Sequence, residues 1–141
     1  MNKKIKHGLF MVLLVGVAMA AQAGDYVVIV NTGNAVSDMP KAHLKRVFTG
    51  KLKEYQGVSL VPIDLPADSD VAQAFLSDVV GMSPGEYKEY WVAQQVKGGG
   101  AAPMIQKTPA MVKAMVSQIP GAISYIPAGD IDDTVKQLTI K

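Results

Sequence analysis

Residues 60–75, Leu-Val-Pro-Ile-Asp-Leu-Pro-Ala-Asp-Ser-Asp-Val-Ala-Gln-Ala-Phe, are the stretch best placed to do chemistry. They predict a short buried strand over 60–63, a tight loop through Pro66, and a helix opening at Asp68 or Ser69. A strand that feeds a helix start aims backbone N–H groups and a positive dipole end at one spot. Such a spot suits an anion. Asp68 and Ser69 are also preferred N-cap residues, so capping alone accounts for them. The turn Asn31-Thr32-Gly33-Asn34 follows the first strand and is the second polar loop. The candidate ligand-binding residues are therefore Asn31, Thr32, Gly33, Asn34, Asp68, Ser69 and Asp70.

Catalytic chemistry is sparse. The chain has no Cys and two His, His7 and His43. A Ser–His–Asp triad would have to use His43, and no nucleophile-elbow pattern exists to meet it. Asp68 and Asp70 flank Ser69, and Asp130, Asp132 and Asp133 share one turn. Neither set has the ligand count or central Gly of a calcium loop, so both read as solvated turn residues. Gly98-Gly99-Gly100 follows a predicted helix rather than a strand and lacks a P-loop Lys, so it reads as a connection. The reading is a non-enzyme without cofactor or metal.

Length and composition set the frame. The 141 residues begin with Lys3, Lys4 and Lys6, an apolar run over 9–20, and Ala21-Gln22-Ala23. This is the order of a secretory signal peptide, and the run is short for a membrane span. The expectation is a signal peptide over 1–23, one domain over 24–141, export to the periplasm or beyond, and no membrane insertion after cleavage. The leader holds three of the 14 basic residues, leaving 11 against 12 acidic ones. Such a balance carries no nucleic-acid footprint. Without Cys there are no disulfides, so stability must come from one packed core.

The positioning elements follow in order. Residues 25–31, with Tyr26-Val27-Val28-Ile29-Val30 at their centre, are a near-continuous β-branched run of the kind buried on both faces, as in a parallel sheet. A helix from Pro40 to about Phe48 turns Leu44, Val47 and Phe48 inward and ends at Gly50, with His43, Lys45 and Arg46 largely on its outer face. Residues 51–59 are a polar connection. The helix after Ser69 carries the stripe Val71, Ala72, Phe75, Leu76 and Val79 and closes at Gly81. Ser83-Pro84-Gly85-Glu86 is a capping box opening a third helix to about Val96. Its Tyr87, Tyr90 and Trp91 fall at helical spacing and read as core. Thr108-Pro109 opens a fourth helix with Met111, Val112, Met115, Val116 and Ile119 inward. Residues 122–126 and 134–140 are strands, the last near an edge. The order predicts an α/β sandwich with a parallel crossover between the first two strands.

Three segments carry a resemblance. Leu44-Lys45-Arg46-Val47-Phe48-Thr49-Gly50-Lys51 resembles the I-F-x-G-K-x-x-x-W segment of phosphate-type substrate-binding proteins of ABC transporters, with Tyr55 near the usual Trp. Residues 65–75 align with that family's phosphate loop, and Pro120-Gly121-Ala122-Ile123-Ser124-Tyr125 resembles its P-G-A-I-G-Y strand entry. The segments occur in family order. The resemblance implies one lobe of a periplasmic-binding-protein-like fold, a mixed sheet flanked by about four helices. It also implies a small oxyanion or other solute as ligand and an ABC permease or other periplasmic or membrane protein as partner.

The loop departs from the family's R-x-D-G-S-G-T. In register on Phe75, Ser69 matches the Ser. Leu65 stands at the Arg, Ala67 at the Asp and Val71 at the Thr. The charge-assisted partner of an oxyanion is thereby lost, and Asp68 and Asp70 add negative charge beside Ser69. Two functional classes follow: an exported solute-binding-like protein with a degenerate phosphate loop, and an interaction module that reuses the fold without a small ligand.

Overall fold

The computed structural model describes residues 25–141; the expected signal peptide and its expected cleavage after Ala23 lie outside the described residues. The elements are β1 (Tyr26–Val30), β2 (Asp38–Met39), α1 (Lys41–Phe48), β3 (Glu54–Tyr55), β4 (Val58–Ser59), β5 (Val61–Asp64), α2 (Asp70–Phe75), a π-helical turn (Leu76–Val80), α3 (Pro84–Val96), β6 (Met104–Ile105), α4 (Pro109–Gln118), β7 (Ala122–Pro127) and β8 (Lys136–Ile140). Six strands form one mixed sheet in the order β2-β8-β1-β7-β5-β6. The β3–β4 hairpin stands apart and turns on Gln56 and Gly57, both at positive φ. That hairpin lies where the sequence reads as a polar connection, and β2 and β6 lie where it assigns no element, because two-residue strands carry no period.

β1 is buried through Val28, Ile29 and Val30, as its β-branched run requires. Its direction differs from expectation. It pairs antiparallel with both β7 and β8, while the parallel pairs are β5–β7, β5–β6 and β2–β8. There is thus no parallel crossover from β1 to β5. An apolar run reports that both faces are covered; it does not report the direction of neighbours that occur later in the chain.

The helices pack as their stripes dictate. Leu44, Val47 and Phe48 of α1 are buried, as are Val71, Ala72, Phe75, Leu76 and Val79. Pro40 is the N-cap of α1 rather than its first residue. Phe75 stacks on Tyr125 at 4.0 Å and meets Phe48 edge-on at 4.9 Å, joining both helices to β7. α3 opens with the expected reciprocal capping box between Ser83 and Glu86. In α4, Val112 and Val116 are buried, but Met111 is 46% exposed, so the inner stripe is narrower than expected.

Two glycines in the family-like segments are dictated by close approach. Gly50 has φ +76°, and a Cβ there would lie 2.7 Å from Cη2 of Trp91. A Cβ on Gly121 would lie 2.0 Å from the Ser59 carbonyl oxygen, where β5 joins β7.

Candidate functional site

The end of the sheet where β5 stops is built from three elements. β5 ends at Asp64, a residue only 3% exposed. The Tyr125 hydroxyl on β7 donates to Asp64 Oδ1 at 2.8 Å, and the Tyr87 hydroxyl on α3 reaches Oδ2 at 2.8 Å. The Tyr87 hydroxyl also lies 3.0 Å from the Phe48 carbonyl oxygen, so its one proton faces two acceptors. The Leu65 amide donates to the Tyr125 hydroxyl at 3.3 Å. Burial pushes the Asp64 carboxyl up to about 6, against the opposing pull of the two tyrosines. Both phenols are pushed above their ordinary range, first by burial and then by the Asp64 charge. The buried Trp91 indole N–H has no hydrogen-bond partner among the described residues.

A cleft of about 560 Å³ opens over this floor. Its walls are mostly apolar, with Leu65, Pro84, Trp91, Val92, Pro103 and Ile105 among them, and Lys88 and Asp68 contribute charge. The sequence pattern marks Asp64 only as the residue that follows a predicted strand. An acid between Ile63 and Leu65, with Tyr87 on a helix face expected to be core and Tyr125 in a predicted strand, is the signal that points to it.

The loop after β5 runs from Leu65 into α2. Ser69 is its N-cap: its hydroxyl donates to the Pro66 carbonyl at 2.7 Å and accepts from the Ala72 amide at 3.4 Å. Asp68 and Asp70 are exposed, and the Asp68 carbonyl accepts from Gln73 Nε2. Leu65 and Val71, at the positions of the family's Arg and Thr, are buried in the core.

The two expected loops do not meet. Val30 and Pro62 both sit level with Ile123 of β7. From that level β5 runs on towards Tyr125, while β1 runs the other way into Asn31. Asp68, Ser69 and Asp70 therefore lie at one end of the sheet and Asn31, Thr32, Gly33 and Asn34 at the other. Ser69 and Asp70 instead share a small surface cleft with Asp25, Lys107 and Pro127. Asn31 and Asn34 are buried; they hold their own turn and, through Asn31, tie it to α4. Asn31 Nδ2 donates to the Val116 carbonyl, Asn31 Oδ1 accepts from the Gly33 amide, and Asn34 Oδ1 accepts from the Val36 amide. Lys136 donates to the Asn34 carbonyl, and Thr32 and Gly33 are exposed.

The remaining candidate groups are engaged elsewhere. Asp132 pairs with Lys113 at 2.7 Å and accepts from Thr134, which together hold its carboxyl down to about 2. His43 packs against the Tyr55 ring at 5.5 Å. Among the described residues no group of three or more His, Cys, Asp or Glu is placed to hold a metal ion, and no helix is long and apolar enough to cross a membrane.

An ABC-type phosphate transport receptor from Vibrio cholerae superposes with a TM-score of 0.63 at 18% identity, over 80% of this chain and 44% of that one. A Clostridium perfringens protein, assigned as a phosphate ABC transporter substrate-binding protein and solved with phosphate bound, gives 0.65 at 21% identity, over 82% and 44%. PstS from Borrelia burgdorferi gives 0.60 at 12% identity, over 82% and 47%. This chain has the fold of one lobe of a phosphate-type substrate-binding protein. It spans less than half the length of each of these structures. No protein-family model matches the chain, and no curated protein matches it in sequence.

Proposed function

We propose that the chain is an exported, non-enzymic solute-binding lobe whose phosphate loop no longer binds phosphate tightly. The lobe-level fold likeness supports the first part. The second rests on one observation: the only side chain retained from the family's loop, Ser69, has its hydroxyl committed to the Pro66 carbonyl and the Ala72 amide. Leu65, Ala67 and Val71 bring no hydrogen-bonding side chain, and Leu65 and Val71 are buried. A tight oxyanion site needs several charge-assisted hydrogen bonds, each worth about 1.5–3 kcal/mol net. Asp68 and Asp70 oppose an anion besides. A periplasmic location and a permease partner belong to the same proposal, by analogy with transport receptors of this fold.

Calorimetry of the protein with phosphate, sulfate and small carboxylates tests it. The expected dissociation constant for phosphate lies above about 100 μM. Micromolar or tighter binding overturns the degenerate-loop reading.

A second reading, a protein-interaction module, is favoured by four exposed apolar side chains, Val92 and Val96 on α3 and Met104 and Ile105 on β6. Of these, Val92 and Ile105 also line the cleft above Asp64.

A further inference from the structure

We infer that the cleft at the end of β5 is a binding site for a small organic cation, an ammonium or guanidinium group carried on an apolar body. The inference names a solute class for the lobe and so rests on the solute-binding reading above.

Three observations carry it. First, the floor holds a carboxylate without a countercharge. Asp64 receives one tyrosine hydrogen bond on each oxygen, from Tyr125 and Tyr87, and each oxygen keeps lone-pair capacity. The ion pairs among the described residues are Lys41–Asp78, Lys113–Asp132 and Lys141–Asp38, none of which involves Asp64. A buried charge is costly unless paired, and a cation brought by a ligand would pair it. Second, Tyr87 and Trp91 line the same cleft as Asp64, and the faces of such aromatic rings attract cations. Third, the remaining lining is apolar and the volume of about 560 Å³ is that of a small-molecule site. The charged groups facing the cleft are Asp64 from β5, Asp68 from the following loop and Lys88 from α3, a net negative set. The phenols of Tyr87 and Tyr125 stay neutral, being pushed above their ordinary range by burial.

Trp91 is the sole tryptophan of the chain, so its fluorescence reports on this cleft. The experiment titrates the protein with 2-phenylethylammonium. The controls are 3-phenylpropionate and 3-phenylpropan-1-ol, and free N-acetyltryptophanamide corrects for direct quenching. The expected result is a saturable change with the ammonium, at least about tenfold tighter than with either control. Its affinity should fall about tenfold between about pH 7.5 and about pH 5, because the Asp64 carboxyl titrates at about 6. Val92→Arg places a cation at the exposed mouth without touching the core and should weaken binding at least about tenfold. Asp64→Asn should do the same. Should that variant fail to fold, the pH series and Val92→Arg carry the test on their own. Equal binding of the three compounds, a pH-independent affinity, or no saturable change from the ammonium up to about 50 mM overturns the inference. A parallel phosphate titration separates the two failures. Tight phosphate binding removes the degenerate-loop reading whatever the ammonium does. An inert ammonium with inert phosphate removes the cation site and leaves the interaction module.

Discussion

Ser69 and Asp64 show how unevenly single residues declare themselves. Ser69 is legible from type and position: a Ser before Asp-Val-Ala is a preferred cap, and the structure makes it one. Its role predicts two readouts that a ligand-binding role would not share. Ser69→Ala should lower stability by about 0.5–2 kcal/mol in urea denaturation, while leaving the phosphate titration unchanged. Asp64 was not legible, because its meaning comes from two tyrosines 23 and 61 positions away. Trp91 lies between these cases. Helical spacing marks it as core, and the structure adds that its ring edge occupies the space a side chain at Gly50 would need. Trp91→Ala should therefore cost about 3–5 kcal/mol through lost burial and the cavity left behind. An unchanged denaturation midpoint would mean that the ring packs on nothing.

At the scale of elements, long periodic segments were legible and short or late-paired ones were not. The stripes of α1 and α2, the capping box of α3 and the Thr108 cap of α4 are all found where their spacing puts them. The π-helical turn after Phe75 keeps the same apolar stripe as the helix before it, so the pattern does not reveal the change of hydrogen bonding. β6 is two residues long, both exposed, and owes its existence to pairing with β5. Where elements meet, the constraint falls on particular residues. Gly121 brings its backbone against Ser59 so that the Val61 amide can reach the Gly121 carbonyl at 2.8 Å. A Cβ 2.0 Å from that Ser59 oxygen cannot be relieved by a rotamer change, since the obstacle is backbone. Gly121→Ala should open the β5–β7 junction and cost more than about 3 kcal/mol, or abolish folding. Hydrogen exchange of the Val61 and Leu60 amides is the direct check. Protection equal to wild type would contradict the close approach.

For the whole molecule, the direction of β1 is what reorganised the site, and the buried carboxylate at the β5 end is what sets its pH response. With β1 antiparallel to β7, the turn Asn31–Asn34 and the cap at Ser69 cannot form one cleft, and the polar centre moves to Asp64, Tyr87 and Tyr125. The Asp64 carboxyl is raised by burial from 3.8 to about 6, so the folded state binds its proton more tightly than the unfolded state does. A group raised in this way stabilises the fold fully below its unfolded value and ceases to do so as pH rises through its folded value. Stability should therefore decline between about pH 4 and about pH 6, by up to about 3 kcal/mol for a shift of roughly two units. Two other carboxyls act in the opposite sense. Asp78 is held low by Tyr26 and Lys41, and Asp132 is held low by Lys113 and Thr134. Their contribution is present above the unfolded value and is lost only as pH falls below it, outside the Asp64 window. Asp64→Asn removes the titrating group and keeps its shape. The amide carbonyl can accept from Tyr125, and the amide N–H can donate to the Tyr87 hydroxyl, freeing that hydroxyl's proton for the Phe48 carbonyl 3.0 Å away. The variant should match or exceed wild-type stability at about pH 7.5 and show no decline between about pH 4 and about pH 6. Denaturation midpoints for both proteins across that range decide it: parallel curves would place the Asp64 carboxyl in water rather than at the floor of the cleft.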